Sequence, residues 1–457
     1  MDNPANLSTW LIVWMAAFAA IFIWQWKTNA GGVGLIIGYT LNLWLLHWLA
    51  SAIYVLPWYD NAYPLTDVFS GFKQSTYAIL AFGVGCILVA PLLMRALRFP
   101  PGGRVPHKPD SRLIKAYFGV GIISYFILFP SLSGLPSVTA LVSSGYSLAV
   151  VGFVLKCWDS WRRGKRRSFA RTALAAVCLP FITVLTQGFI GYGTVAALAI
   201  FAFITSFYRP RWKLIIFALL IGYFGLSLYV TYMRDRQEIR DVVWGGQSYE
   251  SRIERMYDTF SQPEAFDPLD SAHLRRVDDR LNQSALVGAS IRYIGTGRQE
   301  FAAGDTLLQA LIAPIPRVLW WDKPMTAGSG TLVTTYTGIQ FAHGTSVGIG
   351  QVMELYINFG TVGVVAGFLA LGTLIAFFDK AAAVRLAEGD WQSFTFWFLP
   401  GLGFMQVGGQ LVEVSMSVAA ALVLAGMIKR YVLPRMRRQE LADVTVRPRP
   451  YLASSRR

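Results

Sequence analysis

The chain has very few of the side chains that form disulfides or bind metals. Of its 457 residues, only three are cysteine and four are histidine. Cys86, Cys157 and Cys178 all lie in apolar segments without CxxC spacing, which argues against a disulfide framework or a sulfur-ligated metal site. The histidines form no HExxH pair; they are His47, His107, His273 and His343. The sequence therefore predicts no metal and no cofactor.

Charge is also scarce. Only 15% of the residues are charged, 54% are hydrophobic, and the mean hydropathy is +0.44. This composition excludes an ordinary soluble protein and indicates an integral membrane protein. Fifteen tryptophans and twenty tyrosines suit aromatic belts at two membrane interfaces. We expect an all-α fold, because long apolar runs cross a bilayer as helices.

Apolar runs occur on both sides of one long polar stretch. A membrane-spanning helix needs about 20 apolar residues, and on this basis we predict about eleven spans, within about 10 to 14. Residues 1–233 are predicted to hold helices 1–8, residues 234–350 a large loop, residues 351–431 helices 9–11, and residues 432–457 a disordered basic tail. The predicted spans lie near 8–26, 32–57, 74–97, 115–130, 137–157, 172–188, 193–208, 214–233, 350–378, 392–410 and 412–430.

The distribution of charge predicts the topology. The loop 234–350 carries twelve basic and fourteen acidic residues, whereas the whole chain has a net charge of +15. The excess positive charge therefore lies in the short loops and the tail, which by the positive-inside rule face the cytoplasm. We expect the N-terminus outside, the C-terminus inside and the large loop outside. Basic runs that recur at every second loop require no nucleic-acid partner, and the tail is expected to contact anionic membrane lipids.

The loop is expected to fold. One amphipathic helix is predicted by four residues that share a face, Ile253, Met256, Tyr257 and Phe260. A second helix, with the sequence LLQALIA, is expected to be capped by Asp305 and Thr306 and to end at Pro314. The Gly-, Ser- and Thr-rich region 327–350 is interpreted as a flexible loop that could close over a substrate.

The basic residues of the loop are eleven arginines and one lysine. The planar guanidinium fork binds phosphate bidentately and keeps its charge in poorly hydrated sites. Arg236 follows directly after a span, and Arg292, Arg317 and Lys323 come later. One interpretation is that these side chains pair with the loop's carboxylates. The alternative is that they form a cradle for a lipid-linked pyrophosphate.

Two carboxylates are predicted near the outer membrane boundary, where ionisable groups are rare. Glu354 begins the span after the loop, and Glu413 lies between the last two spans. One interpretation is that both carboxylates form structural hydrogen bonds between helices, and the alternative is a functional role.

Two segments resemble a known family. IPRVLWWDKP (residues 315–324) resembles the PR-x-x-W-x-x-KP stretch of Wzy-type polymerases, which join oligosaccharide repeat units in O-antigen and exopolysaccharide synthesis. GIGQVMELYINFG (residues 348–360) resembles the family's segment leading from the large loop into the next span. The similarity covers roughly residues 285 to 365. It implies a GT-C-like membrane glycosyltransferase in the bacterial inner membrane.

The resemblance also implies a reaction. A polyprenyl-pyrophosphate-linked glycan would be the donor, and the hydroxyl of a second lipid-linked unit would attack its anomeric carbon without a metal. Arg317, Arg292, Lys323 and Arg236 would bind the pyrophosphate. Glu354 or His343 would orient or deprotonate the acceptor, and Glu413 and Gln351 would lie on the acceptor side of the site or have a structural role. A chain-length regulator and a lipid-linked-sugar flippase are the implied partners. Two alternatives stay open, namely an O-antigen ligase with the same site plan and a flippase or exporter of lipid-linked sugars.

Overall fold

The computed structural model describes residues 4–27, 31–99, 109–128, 144–208, 211–316, 319–324, 327–341 and 347–436. Of the described residues, 79% are helical and none lies in a strand. Seven described helices are long and apolar enough to cross a membrane; these are Asn6–Lys27, Leu35–Ile53, Leu65–Ala96, Arg166–Gln187, Trp212–Arg234, Gln351–Ala387 and Leu411–Met436. The protein is therefore an all-α, multi-pass membrane protein.

Helices before the polar stretch are numbered in chain order: α1 Pro4–Lys27, α2 Leu35–Ile53, α3 Leu65–Ala96, α4 Arg112–Ile122, α5 Gly145–Arg162, α6 Arg166–Gln187, α7 Gly191–Phe207 and α8 Arg211–Arg234. Predicted spans 115–130, 137–157 and 193–208 correspond to the shorter helices α4, α5 and α7. Residues 129–143 lie outside the described part. The number of eleven spans stays a prediction.

The polar stretch and the C-terminal region are also helical. Within the stretch lie α9 Arg236–Trp244, α10 Tyr249–Ser261, α11 Ser271–Leu281, α12 Gln283–Gly295, α13 Asp305–Ile312 and α14 Ser329–Thr337. They are followed by α15 Gln351–Ala387, α16 Trp391–Phe404 and α17 Leu411–Met436. The helix predicted around Ile253 is confirmed as α10. The flexible loop predicted at 327–350 is wrong in part, because it contains α14.

The polar stretch packs directly on the membrane helices. Helix α12 contacts α3 so closely that a Cβ atom added to Gly288 would lie 1.7 Å from the carbonyl oxygen of Asp67, and one added to Gly71 would lie 1.9 Å from that of Ser284. Small residues allow two backbones to approach in this way. The hydroxyl of Ser284 also lies 3.1 Å from Nδ1 of the buried His47 in α2. The polar stretch is thus part of the helical bundle.

A buried carboxylate fixes α11 to the loop that follows α2. Asp278 accepts hydrogen bonds of 2.7 Å from the hydroxyls of both Tyr54 and Tyr59. It also accepts a 2.6 Å hydrogen bond from the amide of Asn282. These three donors compensate the carboxylate for its loss of water, so α11 is held in one position over the membrane helices.

Helix α15 is broken near its start, where a continuous span was predicted. Phe359 and Gly360 have non-helical backbone angles, and Gly360 has φ 60° and ψ −149°, which only glycine adopts readily. The loop before α13 fills the break, because the N–H of Ala302 donates to the carbonyl of Ile357 over 2.8 Å. A short first part, residues 351–358, is thereby separated from the long remainder of α15.

Candidate active site

Glu354 lies in the short first part of α15 and is completely buried. Its Oε2 accepts a 2.7 Å hydrogen bond from the backbone N–H of Leu411, the first residue of α17. The Thr306 side chain lies next to the same carboxylate. Oε1 is buried without a hydrogen-bond partner in the described part of the chain. One oxygen thus joins two helices, and the other is a buried acceptor without a hydrogen-bond partner in the described structure.

Gln351 lies one turn before Glu354 and forms hydrogen bonds to two other parts of the chain. Its Oε1 accepts a 2.7 Å hydrogen bond from the Tyr39 hydroxyl in α2. Its Nε2 donates to the carbonyls of Phe404 and Gln406, over 3.1 and 3.3 Å. Both the oxygen and the nitrogen of the Gln351 side-chain amide are therefore used to hold α15 against α2 and the end of α16. Whether Gln351 acts on the acceptor side or only in structure stays a prediction.

Glu413 and a row of aromatic residues connect Glu354 with a group of arginines. Glu413 is exposed on the first turn of α17, and its charge acts on both Glu354 and Tyr192. The Tyr192 ring lies 6.2 Å from the Phe189 ring. The guanidinium of Arg240 lies 4.5 Å from Phe189, over its ring. Successive neighbours thus lead from Glu354 and Glu413 through Tyr192 and Phe189 to Arg240.

The group of arginines, here named the arginine cluster, consists of Arg236 and Arg240 on α9 and Arg280 on α11. The three lie within electrostatic range of one another. None forms an ion pair with a carboxylate among the residues that the structure describes. Burial and the charges of Arg280 and Arg240 lower the pKa of Arg236 to about 10. The cluster thus brings three positive charges together without an ion-pair partner in the described part of the chain.

Polar atoms without partners border the arginine cluster. Nε of the buried Arg240 and the hydroxyl of Tyr229, near the end of α8, have no hydrogen-bond partner in the described structure. Tyr229 is close enough for the charges of Arg280 and Arg236 to act on it. Buried polar groups without partners are costly. An anion bound here would satisfy the free donors and neutralise the charge.

Arg234, only two residues before Arg236, is in a different situation. Its guanidinium forms ion pairs with Asp235 at 2.9 Å and with Glu264 at 3.0 Å. It also donates to the carbonyls of Thr259 and Gln262, over 3.1 Å each. Arg234 is thus committed to joining α8, α10 and the loop after α10.

Two predicted cradle residues have partners within the protein. Arg292 forms a bidentate ion pair with Asp67, with Nη2 to Oδ2 at 2.8 Å and Nε to Oδ1 at 3.0 Å. These hydrogen bonds raise the pKa of Arg292. Nζ of Lys323 donates to the carbonyls of Ala313 and Ile315, over 2.6 and 2.9 Å, at the end of α13. Neither contact connects these residues with the arginine cluster, and their roles in pyrophosphate binding stay predictions.

Arg317 and His343, also predicted as site residues, lie outside the described residues. Their roles stay predictions. Arg280 was missed by the sequence analysis, because only tertiary packing brings it to Arg236, whereas the spacing of four between Arg236 and Arg240 could have indicated one helix face. In the described part of the chain, no group of three or more His, Cys, Asp or Glu side chains could hold a metal ion. Comparison with protein-family models, curated proteins and solved structures found no match.

Proposed function

We propose that the protein is a polymerase that joins polyprenyl-pyrophosphate-linked oligosaccharide repeat units at the outer face of the bacterial inner membrane. The observation that carries the proposal is the arginine cluster. It combines three guanidiniums with no carboxylate partner among the described residues, and two of them, Arg236 and Arg240, lie on α9, which follows directly after the membrane helix α8. A pyrophosphate attached to a lipid supplies negative charge at the level where a membrane helix ends, and arginine binds it by paired hydrogen bonds.

In this proposal the arginine cluster stabilises the leaving group. The hydroxyl oxygen of the acceptor forms a bond to the anomeric carbon of the donor, and the bond from that carbon to the pyrophosphate oxygen breaks. Negative charge develops on the departing polyprenyl pyrophosphate, and the guanidiniums of Arg236, Arg240 and Arg280 lower the energy of that charge. The donor's lipid chain remains in the bilayer beside α8.

In this proposal Glu354 acts on the hydroxyl of the acceptor. Its free Oε1 accepts the proton of the attacking hydroxyl, while the hydrogen bond from Leu411 to Oε2 holds the carboxylate in place. Between Glu354 and the cluster, the exposed Tyr192 and Trp244 offer flat aromatic faces on which sugar rings can stack. The hydrogen bond from Trp244 Nε1 to the carbonyl of Gln187, 3.1 Å long, fixes one of these faces.

The experiment uses purified full-length protein in lipid vesicles with a lipid-linked repeat unit, and polymer length is read by gel and mass spectrometry. Glu354→Gln keeps the size of the side chain and an oxygen that accepts from Leu411, so we expect a folded protein whose turnover falls by roughly 100-fold or more. Glu254→Gln, at an exposed position of α10 outside the candidate site, is the matched control, and we expect a turnover close to that of the wild type.

Two outcomes would contradict the proposal. A wild-type rate in Glu354→Gln removes the carboxylate from the chemistry. Absence of polymer with the wild-type protein, together with transfer of one unit to an added lipid A-core acceptor, assigns the arginine cluster to a ligase instead.

A further inference from the structure

The region around α13 exposes an unusually apolar surface for a polar stretch. Leu311 is 78% exposed, Leu319 is 80% exposed and Trp321 is 90% exposed, and Leu308 and Ile315 are exposed as well. Leu308 and Leu311 are three residues apart and therefore share one face of α13. We name these five residues the apolar face. In a protein surface in water, a contiguous group of this kind marks a binding surface.

The side of α13 opposite the apolar face packs against the start of α17. Ala310 and Ala313 form a small buried cluster with Val412, and Leu411 and Met416 pack against it. These α17 residues belong to the first two turns of a membrane span. Helix α13 therefore lies beside the point where α17 enters the bilayer.

A buried side chain satisfies two backbone carbonyls in the segment that follows α13. Here Lys323, which is buried, turns back and donates to the carbonyls of Ala313 and Ile315. In a hydrocarbon environment every backbone polar group needs a partner from the protein itself. The satisfaction of these two carbonyls by Lys323 suits a segment in contact with lipid.

We infer that the apolar face inserts among phospholipid acyl chains, at the membrane boundary where α17 begins. The neighbouring Trp320 and Trp321 suit this depth, because tryptophan is enriched at membrane interfaces. The polar stretch is then not confined to water: α13 and the residues after it form an interfacial segment. This inference does not depend on the polymerase activity.

The test places an environment-sensitive fluorophore (NBD) on single cysteines. Cys86 and Cys157 are buried and Cys178 is exposed, so the full-length Cys178→Ser protein is the background. Leu311→Cys and Trp321→Cys report on the apolar face. Arg275→Cys, at an exposed position of α11, is the matched control. The labelled proteins are reconstituted into vesicles of phosphatidylcholine and phosphatidylglycerol.

We expect doxyl-labelled lipids to quench the fluorophores at positions 311 and 321 at least twofold more than the one at 275. Aqueous iodide should show the reverse order. Iodide quenching at 311 and 321 equal to that at 275 would overturn the inference, because the face would then be in water. Protection of both positions from iodide and from doxyl lipids would also overturn it, since a protein partner would then cover the face. The measurement needs no substrate, so its result is separate from that of the polymerase assay.

Discussion

Replacing Arg236 separates a ligand-binding role of the arginine cluster from a structural one. The Arg236→Gln substitution removes one of three neighbouring positive charges that have no carboxylate partner in the described structure. A structural ion pair would lose stability on such a change. Here the opposite is expected, because the folded protein loses repulsion from Arg240 and Arg280. The unfolding temperature should stay the same or rise.

The effect on activity follows from the hydrogen bonds that a bound pyrophosphate would lose. A hydrogen bond to a charged group contributes about 1.5–3 kcal/mol, and a factor of ten corresponds to about 1.4 kcal/mol. We therefore expect kcat/KM for the lipid-linked repeat unit to fall roughly 10-fold to 150-fold in Arg236→Gln. Arg236→Lys should recover only part of this loss, because an ammonium keeps the charge but not the planar fork.

Arg234 provides the matched control within the same turn of chain. Arg234→Gln breaks the ion pairs with Asp235 and Glu264, so the unfolding temperature should fall. Both variants are measured by thermal unfolding in detergent and by polymer formation in vesicles. Wild-type kcat/KM in Arg236→Gln, or a fall in its unfolding temperature as large as that of Arg234→Gln, would refute the assignment of this cluster as an anion site.

Two further predictions concern the packing of the polar stretch. Gly288→Ala should destabilise the protein by about 1–3 kcal/mol, because its new Cβ would meet the backbone of Asp67. Gly295→Ala, at an open position of α12, should be neutral or slightly stabilising in the same thermal assay. Equal effects of the two substitutions would contradict the tight contact. Burial raises the pKa of Asp278, so its contribution to stability is full below the unfolded pKa of about 3.9 and is lost as pH rises through the folded pKa. The pH dependence of the unfolding temperature above about pH 4 should therefore flatten in Asp278→Asn, and an unchanged slope would refute this.

Hydropathy and periodicity predicted the helical class and α10 because both depend on residues close in sequence. Long apolar runs are sufficient to predict membrane helices. Apolar residues that recur with a period of 3.6 are sufficient to predict α10. The predicted cap of α13 was wrong: its N-cap is Gly304. Thr306 instead accepts a 2.7 Å hydrogen bond from the amide of Asn358. Thr306, which the local sequence pattern assigned to the N-cap, is therefore used in a tertiary contact with Asn358.

The roles of the arginines could not be predicted for the same physical reason. The sequence shows that Arg234, Arg236 and Arg292 are alike in charge and all lie in the polar stretch. It does not show that Asp67, 225 positions away from Arg292, lies against it, or that Glu264 lies against Arg234. Pairing is set by the packing of helices, and the close glycine contact between α3 and α12 brings Asp67 to Arg292. Only the folded chain distinguishes arginines that already have a partner from those that do not.

That distinction carries the functional meaning of the polar stretch. The stretch contains fourteen carboxylates, which are enough to provide a partner for every arginine in it. Arg234 and Arg276 use them and Arg292 pairs with Asp67 of α3, whereas Arg236, Arg240 and Arg280 lie together without a carboxylate partner among the described residues. Bringing like charges together in a partly buried place lowers the stability of the folded state. Such an arrangement is expected where a ligand restores the balance, and a lipid-linked pyrophosphate beside α8 has the charge, the oxygen acceptors and the location to do so.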